Sequence, residues 1–149
     1  MITVILLSLA GAVVAAVVGT FWYSNATPMG KIHMKSLGFD TLSPSGQKQK
    51  MEEAKPMMPK MYAAQMALSF LTAFAVVFIT TMSVQNGLPF KMVLIFVGFN
   101  WLCFIVPTVG GAILWSNTDR SIAWKKFFSD ILSSLVTLLL ISFLASLFV

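Results

Sequence analysis

Long apolar blocks separated by short polar segments dominate this chain. The four blocks run from Ile2 to Tyr23, from about Met61 to Val84, from about Met92 to Trp115 and from about Phe127 to Val149. At about 1.5 Å of rise per residue, each block as a helix can cross a hydrocarbon layer roughly 30 Å thick. None alternates in the way of a membrane β-strand. The pattern predicts an all-α polytopic membrane protein, with helices at 2–23, 61–84, 92–115 and 127–149 in one compact bundle.

The composition agrees with a membrane protein and excludes most soluble classes. Hydrophobic residues make up 58% of the chain and charged residues only 10%, against about 25% charged in soluble domains. The segments between the blocks are too short to fold as a separate soluble enzyme domain. The first block has no basic segment before it and exceeds the apolar region of a signal peptide, so we expect it to be retained.

The positive charges predict how the bundle is oriented. Nine of the ten Lys and Arg residues lie in the 24–60 and 116–126 connections, and only Lys91 lies in the 85–91 connection. The positive-inside rule then places both basic connections in the cytoplasm and both termini on the other side. We expect the 24–60 loop to form a short helix or two at the membrane surface. The net charge of +5 predicts contact with anionic lipid headgroups and no nucleic-acid partner.

Small residues recur at helical spacing and predict close helix packing. The stripe on the first helix comprises Ser8, Gly11, Ala15 and Gly19, and shorter stripes begin at Ala63, Ser129 and Ser142. Such stripes let backbones approach within a bilayer, where helices have no hydrophobic drive to associate. A compact bundle explains them, and so does assembly with other membrane subunits or with a second copy.

The third block contains four residues that need a structural explanation. Pro107 removes a backbone hydrogen bond, so we expect a kink there, and the Thr108 hydroxyl could satisfy a freed carbonyl. Asn100, beside Trp101 in mid-helix, is expected to form a hydrogen bond to another helix. Cys103 is expected to be a small buried apolar residue.

Asp130 is the one ionisable side chain inside an apolar block, which makes it a functional candidate. Two interpretations stay open. An i, i+4 ion pair with Lys126, or extension of the side chain to the interface, would be structural. A proton or cation ligand would be functional. His33 has no second histidine near it in the sequence, so no metal and no cofactor are assigned.

The first and third blocks end in similar sequences. Gly19-Thr-Phe-Trp-Tyr-Ser-Asn25 matches the spacing of Gly111-Ala-Ile-Leu-Trp-Ser-Asn117. A duplicated helical hairpin would produce this likeness, and so would the aromatic belt in which Trp22 and Tyr23 are expected to lie.

Ordered motifs extend along nearly the whole chain. They are Gly19-x-x-Trp22-Tyr23-Ser24, Gly30-Lys31-x-x-Met34-x-x-x-Gly38, Lys55-Pro-Met-Met-Pro-Lys-Met-Tyr62, Trp101-Leu-Cys-Phe-Ile-Val-Pro-Thr108, and Leu114-Trp115 followed by Trp124-Lys125 and Asp130. Together they resemble the bacterial membrane protein family known as domain of unknown function 1761. The chain departs from that pattern at Asn25, His33 and Cys103. The resemblance implies a small four-helix protein of the bacterial inner membrane and supplies no activity.

Three functional hypotheses follow. With one histidine, no Ser-His-Asp set and no paired carboxylates at depth, we expect no enzyme. The leading hypothesis is a non-enzymatic accessory subunit or homo-oligomer that acts by helix packing. The alternatives are a small oligomeric transporter or channel that uses Asp130, and a lipid-binding or lipid-handling protein.

Overall fold

The computed structural model describes residues 1–149 and contains helices but no strand. The elements are α1 (Ile2–Trp22), α2 (Pro28–Ser36), α3 (Pro44–Ala54), α4 (Met58–Gln85), α5 (Phe90–Asn100), a π-helical turn (Trp101–Ile105), α6 (Val106–Leu114) and α7 (Arg120–Ser146). The α5 helix, the π-helical turn and α6 continue as one helix of 25 residues. This helix, α1, α4 and α7 are each long and apolar enough to span a membrane. The prediction of an all-α chain with four helices long and apolar enough to span a membrane is therefore confirmed.

Two of the predicted helix boundaries are wrong by several residues. The fourth spanning helix begins at Arg120 rather than Phe127, because the Asp119 side chain caps it by accepting from the backbone N–H groups of Ser121 and Ile122. The second begins at Met58 rather than Met61, with a proline in its first turn, where no N–H is needed. Hydropathy locates the apolar layer, whereas these helices continue beyond it. Lys125 and Lys126 therefore lie on α7 rather than in a loop.

The spanning helices alternate in direction, and α7 packs against α1, α4, α5 and α6. We call the end where α1 and α6 finish and α4 and α7 begin the basic end. The predicted surface helices of the 24–60 loop are present there as α2 and α3, and α2 packs on α7. The opposite end carries the 86–89 turn and both termini.

The main apolar core lies in the opposite half of the bundle. It comprises Val4, Leu7, Ala73, Val76, Val77, Val93, Val97, Leu138, Ile141 and Ala145. A Cβ added to Gly11 would lie 2.9 Å from the Ala73 Cβ and 3.2 Å from the Ile141 Cγ2. Glycine at this position therefore lets three helices meet. Ser8 and Gly11 are both buried here, so this half of the predicted small-residue stripe on α1 packs against the neighbouring helices.

The irregularity expected at Pro107 takes the form of the π-helical turn just before it. The Val106 N–H bonds to the carbonyl of Trp101, five residues back, and Pro107 has no N–H to offer. The Thr108 hydroxyl donates to the Phe104 carbonyl at 2.6 Å. The carbonyls opposite the missing N–H of Pro107 are those of Leu102 and Cys103, so the Thr108 hydroxyl does not replace the lost bond and the expectation for Thr108 is wrong.

Candidate functional site

Two consecutive aromatic residues at the end of α1 bind α7. The Trp22 Nε1–H donates to Ser129 Oγ at 3.1 Å, and the Tyr23 hydroxyl donates to Asp130 Oδ1 at 2.7 Å. The predicted ion pair between Lys126 and the other carboxylate oxygen of Asp130 is present. The two carboxylate oxygens therefore have different partners, one neutral and one cationic.

The Asp130 carboxylate is shielded but not sealed from its surroundings. The side chains of Lys126 and Asp130 are 27% and 19% exposed. Burial raises the pKa of Tyr23, and the hydrogen bond to Asp130 and its negative charge raise it further. The phenol therefore stays protonated at neutral pH and serves as a fixed donor to Asp130.

A polar crevice of about 300 Å³ enters the bundle from this point. It lies between α1, α4 and α7, beside Ala15 and Gly19, the half of the small-residue stripe that is not fully buried. No atom lies within 4 Å of a Cβ added to Gly19. The polar side chains that line the crevice are Tyr23, Gln65, Ser69, Thr72, Asp130, Ser133, Ser134 and Thr137.

A second opening, which we call the basic-end cleft, measures about 260 Å³. It lies between the end of α2, α6 and the start of α7, and its lining includes Ser36, Ser116 and Lys126. Asp130 lines it too. Asp130 thus lines both the basic-end cleft and the polar crevice.

The α2 helix is held close to this carboxylate by a tight turn. The Thr27 hydroxyl donates to the Trp22 carbonyl at 2.6 Å and accepts from the Gly30 N–H at 2.9 Å. A Cβ on Gly30 would lie 1.9 Å from the Ser24 carbonyl oxygen. Only glycine fits there without moving the backbone, so Gly30 determines where α2 docks.

His33 on α2 lies over Tyr23, with ring centroids 5.0 Å apart. Its Nδ1 is buried and has no hydrogen-bond partner. Burial lowers the pKa of His33, and the positive charge of Lys126 lowers it further, against the opposing effect of Asp130. The imidazole is therefore held neutral close to the ion pair.

The candidate residues of the third spanning helix do not join this site. Asn100 is exposed and donates to the Phe96 carbonyl of its own helix at 2.9 Å, so the predicted interhelical bond of Asn100 is wrong. Its neighbour Trp101 makes that bond instead, donating from Nε1 to the Ile131 carbonyl at 2.9 Å and to Ser134 Oγ at 3.0 Å. Because Asn100 lies on the exposed face of its helix, its side chain can reach only the backbone of that same helix.

Three further residues of that helix also face outward. Pro107 and Thr108 are exposed. Cys103 is exposed as well, so the expectation that it is buried is wrong.

The polar lining of the crevice was missed in the sequence, although a signal for it exists. Gln65, Ser69 and Thr72 recur at spacings of four and three on α4, as Ser133 and Thr137 do on α7. Two polar stripes at helical spacing in apolar blocks indicate facing polar surfaces. Ser133 follows Ser129 by four residues in the small-residue stripe that begins there, and that stripe predicts packing rather than a polar lining.

The chemistry of this set is that of oxygen ligands around one carboxylate. Hydroxyls, an amide and a carboxylate suit protons and hard cations. No group of three or more His, Cys, Asp or Glu side chains that could hold a metal ion is present. Comparison with models of known families, with curated proteins and with solved structures found no match, so the resemblance to domain of unknown function 1761 stays a prediction.

Proposed function

We propose that this protein is a small membrane transport protein that passes a proton or a small cation by way of Asp130. The observation that supports the proposal is the position of Asp130, which lines both the polar crevice and the basic-end cleft. With the basic end in the cytoplasm of a bacterial cell, the basic-end cleft would be the cytoplasmic entrance. Ionisable groups within membrane helices typically belong to such pathways.

The ion pair provides the exchange step. Lys126 neutralises Asp130 in the resting state, and an arriving proton or cation would take its place. Because Lys126 also lines the basic-end cleft, its released ammonium group would turn into that cleft toward water. Tyr23 would keep its hydrogen bond to the other carboxylate oxygen and so hold the acceptor in position.

Flux into liposomes tests the proposal. The native chain would be reconstituted and compared with Asp130→Asn, which keeps the oxygen that accepts from Tyr23 but removes the charge. We expect native flux of protons, followed by an enclosed pH dye, or of Na⁺ or K⁺, followed by isotope uptake. Flux through Asp130→Asn is expected to fall to the level of empty liposomes.

Asp119→Asn is the matched control. It makes the same chemical change on the same helix but leaves the crevice intact, and Asn caps a helix about as well as Asp. It should retain native flux. Equal flux through the native chain and Asp130→Asn would remove Asp130 from the mechanism, and absence of all flux in the native chain would reject transport.

A second candidate is the homo-oligomer or accessory subunit, and the position of Asn100 favours it. The helix Phe90–Leu114 is the least buried of the four, with 11% of its apolar window buried against 28–33% in the others. Asn100 lies near its middle, exposed, with one hydrogen bond to its own helix. A carboxamide that faces lipid without hydrogen-bond partners is costly. A second carboxamide, on a partner helix, would supply the hydrogen bonds that Asn100 lacks.

The native cysteine offers a direct test of self-association. Cys103 is exposed one helical turn beyond Asn100, so two copies that meet through Asn100 would bring their Cys103 thiols close together. Oxidation in liposomes should give a disulfide-linked dimer, and Asn100→Leu should reduce it. Purely monomeric behaviour with no co-purifying membrane protein would reject this candidate.

A further inference from the structure

Three lysines converge on a small cleft between α2 and the start of α7. The cleft measures about 190 Å³ and is lined by Lys31, Ile32, Lys35, Ile122 and Lys125. Lys31 and Lys35 are four residues apart on α2 and therefore share one face. Lys125 faces them from α7.

These three positive charges have no acidic partner. The two ion pairs of the structure are Lys55–Glu52 and Lys126–Asp130. The charge of Lys126 is thus neutralised by Asp130, whereas the three lysine charges of the cleft are not neutralised. Like charges at a spacing of four repel each other, and the docking of α2 brings a third one close. An anion in the cleft would remove this repulsion.

The remaining lining and the location indicate the kind of anion. Ile32 and Ile122 give the cleft apolar walls beside its ammonium groups. The cleft lies at the basic end. Trp124, which precedes Lys125 in the sequence, is 45% exposed, and Trp is typical of the membrane interface. A ligand that places negative charge among lysines and apolar atoms against isoleucines, at this depth, is an anionic lipid.

We propose that this cleft binds the phosphate headgroup of an anionic phospholipid, with Lys31, Lys35 and Lys125 around the phosphate and the isoleucines against the glycerol region. The Gly30 turn fixes α2 on α7, so the three lysines are positioned before the lipid arrives. The site is separate from Asp130 and does not depend on the transport proposal.

Lipid titration of the purified full chain in a neutral detergent tests the proposal. Short-chain phosphatidylglycerol and phosphatidylcholine would be titrated separately and bound lipid counted by native mass spectrometry. The triple variant Lys31→Gln/Lys35→Gln/Lys125→Gln removes the site. The triple variant Lys48→Gln/Lys60→Gln/Lys91→Gln removes the same charge elsewhere and serves as control.

We expect phosphatidylglycerol to bind the native chain and the control alike, and the site variant to bind at least about tenfold more weakly, since lysines attract anionic headgroups electrostatically. Phosphatidylcholine should bind all three weakly. Equal losses in both triple variants would show a diffuse charge effect and overturn the proposal. Competition by glycerol phosphate as effective as by the lipid would assign the site to a soluble anion and overturn it too.

Discussion

The two halves of the bundle are held together by different interactions. In the opposite half, helices meet through close contacts, and the hydroxyls of Ser8 and Ser142 bond back to carbonyls of their own helices. In the half near the basic end, a small cluster of Ile113, Ala123 and Phe127 joins α6 to α7, and α1, α4 and α7 enclose the polar crevice. Four side-chain hydrogen bonds from the other spanning segments end on α7 between Ser129 and Ser134.

This difference indicates a division of roles. A bilayer provides no hydrophobic drive for helix association, so one half needs close packing to hold the bundle. The other half can then leave space around polar groups, because specific hydrogen bonds replace the missing contacts. A carboxylate such as Asp130 is supported only in the second environment.

The largest expected effect comes from the turn that docks α2 at the basic end. Gly30→Ala would place a Cβ 1.9 Å from a backbone oxygen, so we expect destabilisation of at least about 2 kcal/mol, near the upper range for overpacking. Limited proteolysis of the 23–57 segment in detergent should become much faster. Gly46→Ala is the control, since its added Cβ meets nothing closer than 3.4 Å; similar proteolysis of both variants would count against tight docking.

The next effect compares the two halves within a single helix. Gly11→Ala would place a Cβ 2.9 Å from Ala73 and should cost about 1–3 kcal/mol through overpacking. Gly19→Ala meets no atom within 4 Å and should be neutral or stabilising, since Ala is better than Gly in a helix by up to about 1 kcal/mol. Thermal unfolding in detergent measures both. If the two variants lose equal stability, the halves do not differ in packing.

A smaller effect is expected from the tryptophan bond in mid-bundle. Trp101→Phe keeps an aromatic ring but removes the donor to the Ile131 carbonyl and Ser134, at a cost of about 0.5–1.5 kcal/mol. Trp115→Phe is the matched change at a side chain that is 90% exposed and should leave stability unchanged. A loss as large at Trp115 would mean that the Trp101 bond contributes little.

The smallest effect concerns pH. Because the pKa of His33 in the folded protein lies below its ordinary value of 6.5, the unfolded chain binds more protons as pH falls through that value. Stability contributed by neutral His33 is therefore complete above pH 6.5 and is lost as pH falls below it. The free energy of unfolding of the native chain, compared with that of His33→Gln at pH 7.5 and at lower pH values, should decrease relative to the variant as the pH falls. The same pH dependence in both would show that the protonation of His33 does not affect stability.

The sequence predicted what depends on neighbouring residues along the chain. Hydropathy was sufficient for four spanning helices, and a spacing of four was sufficient for the Lys126–Asp130 pair. The bond from Tyr23 to Asp130 joins residues 107 positions apart, and its existence depends on how α1 rotates and docks against α7. A local sequence pattern cannot predict how α1 is rotated against α7.

The two similar helix ends illustrate the same limit. Tyr23, at the end of α1, contacts Asp130, whereas Trp115, at the corresponding position of α6, is 90% exposed. The two sequences are alike, but only α1 ends against the polar residues of α7. The wrong expectation for Asn100 has the same cause, since which face of a helix meets a neighbour is decided by the whole bundle.

Water access to the crevice tests most directly whether the half near the basic end is open and polar while the opposite half is closed. In a Cys103→Ala background, Thr137→Cys places a thiol in the crevice, and Ser142→Cys places one in the opposite half, where the native side chain is fully buried. We predict that a membrane-impermeant thiol reagent in liposomes labels the residue at position 137 rapidly and the residue at position 142 not at all. No labelling at position 137 would show that no hydrated path leads from the surface into the crevice beside Asp130, and equal labelling at both positions would show that the two halves do not differ in water access.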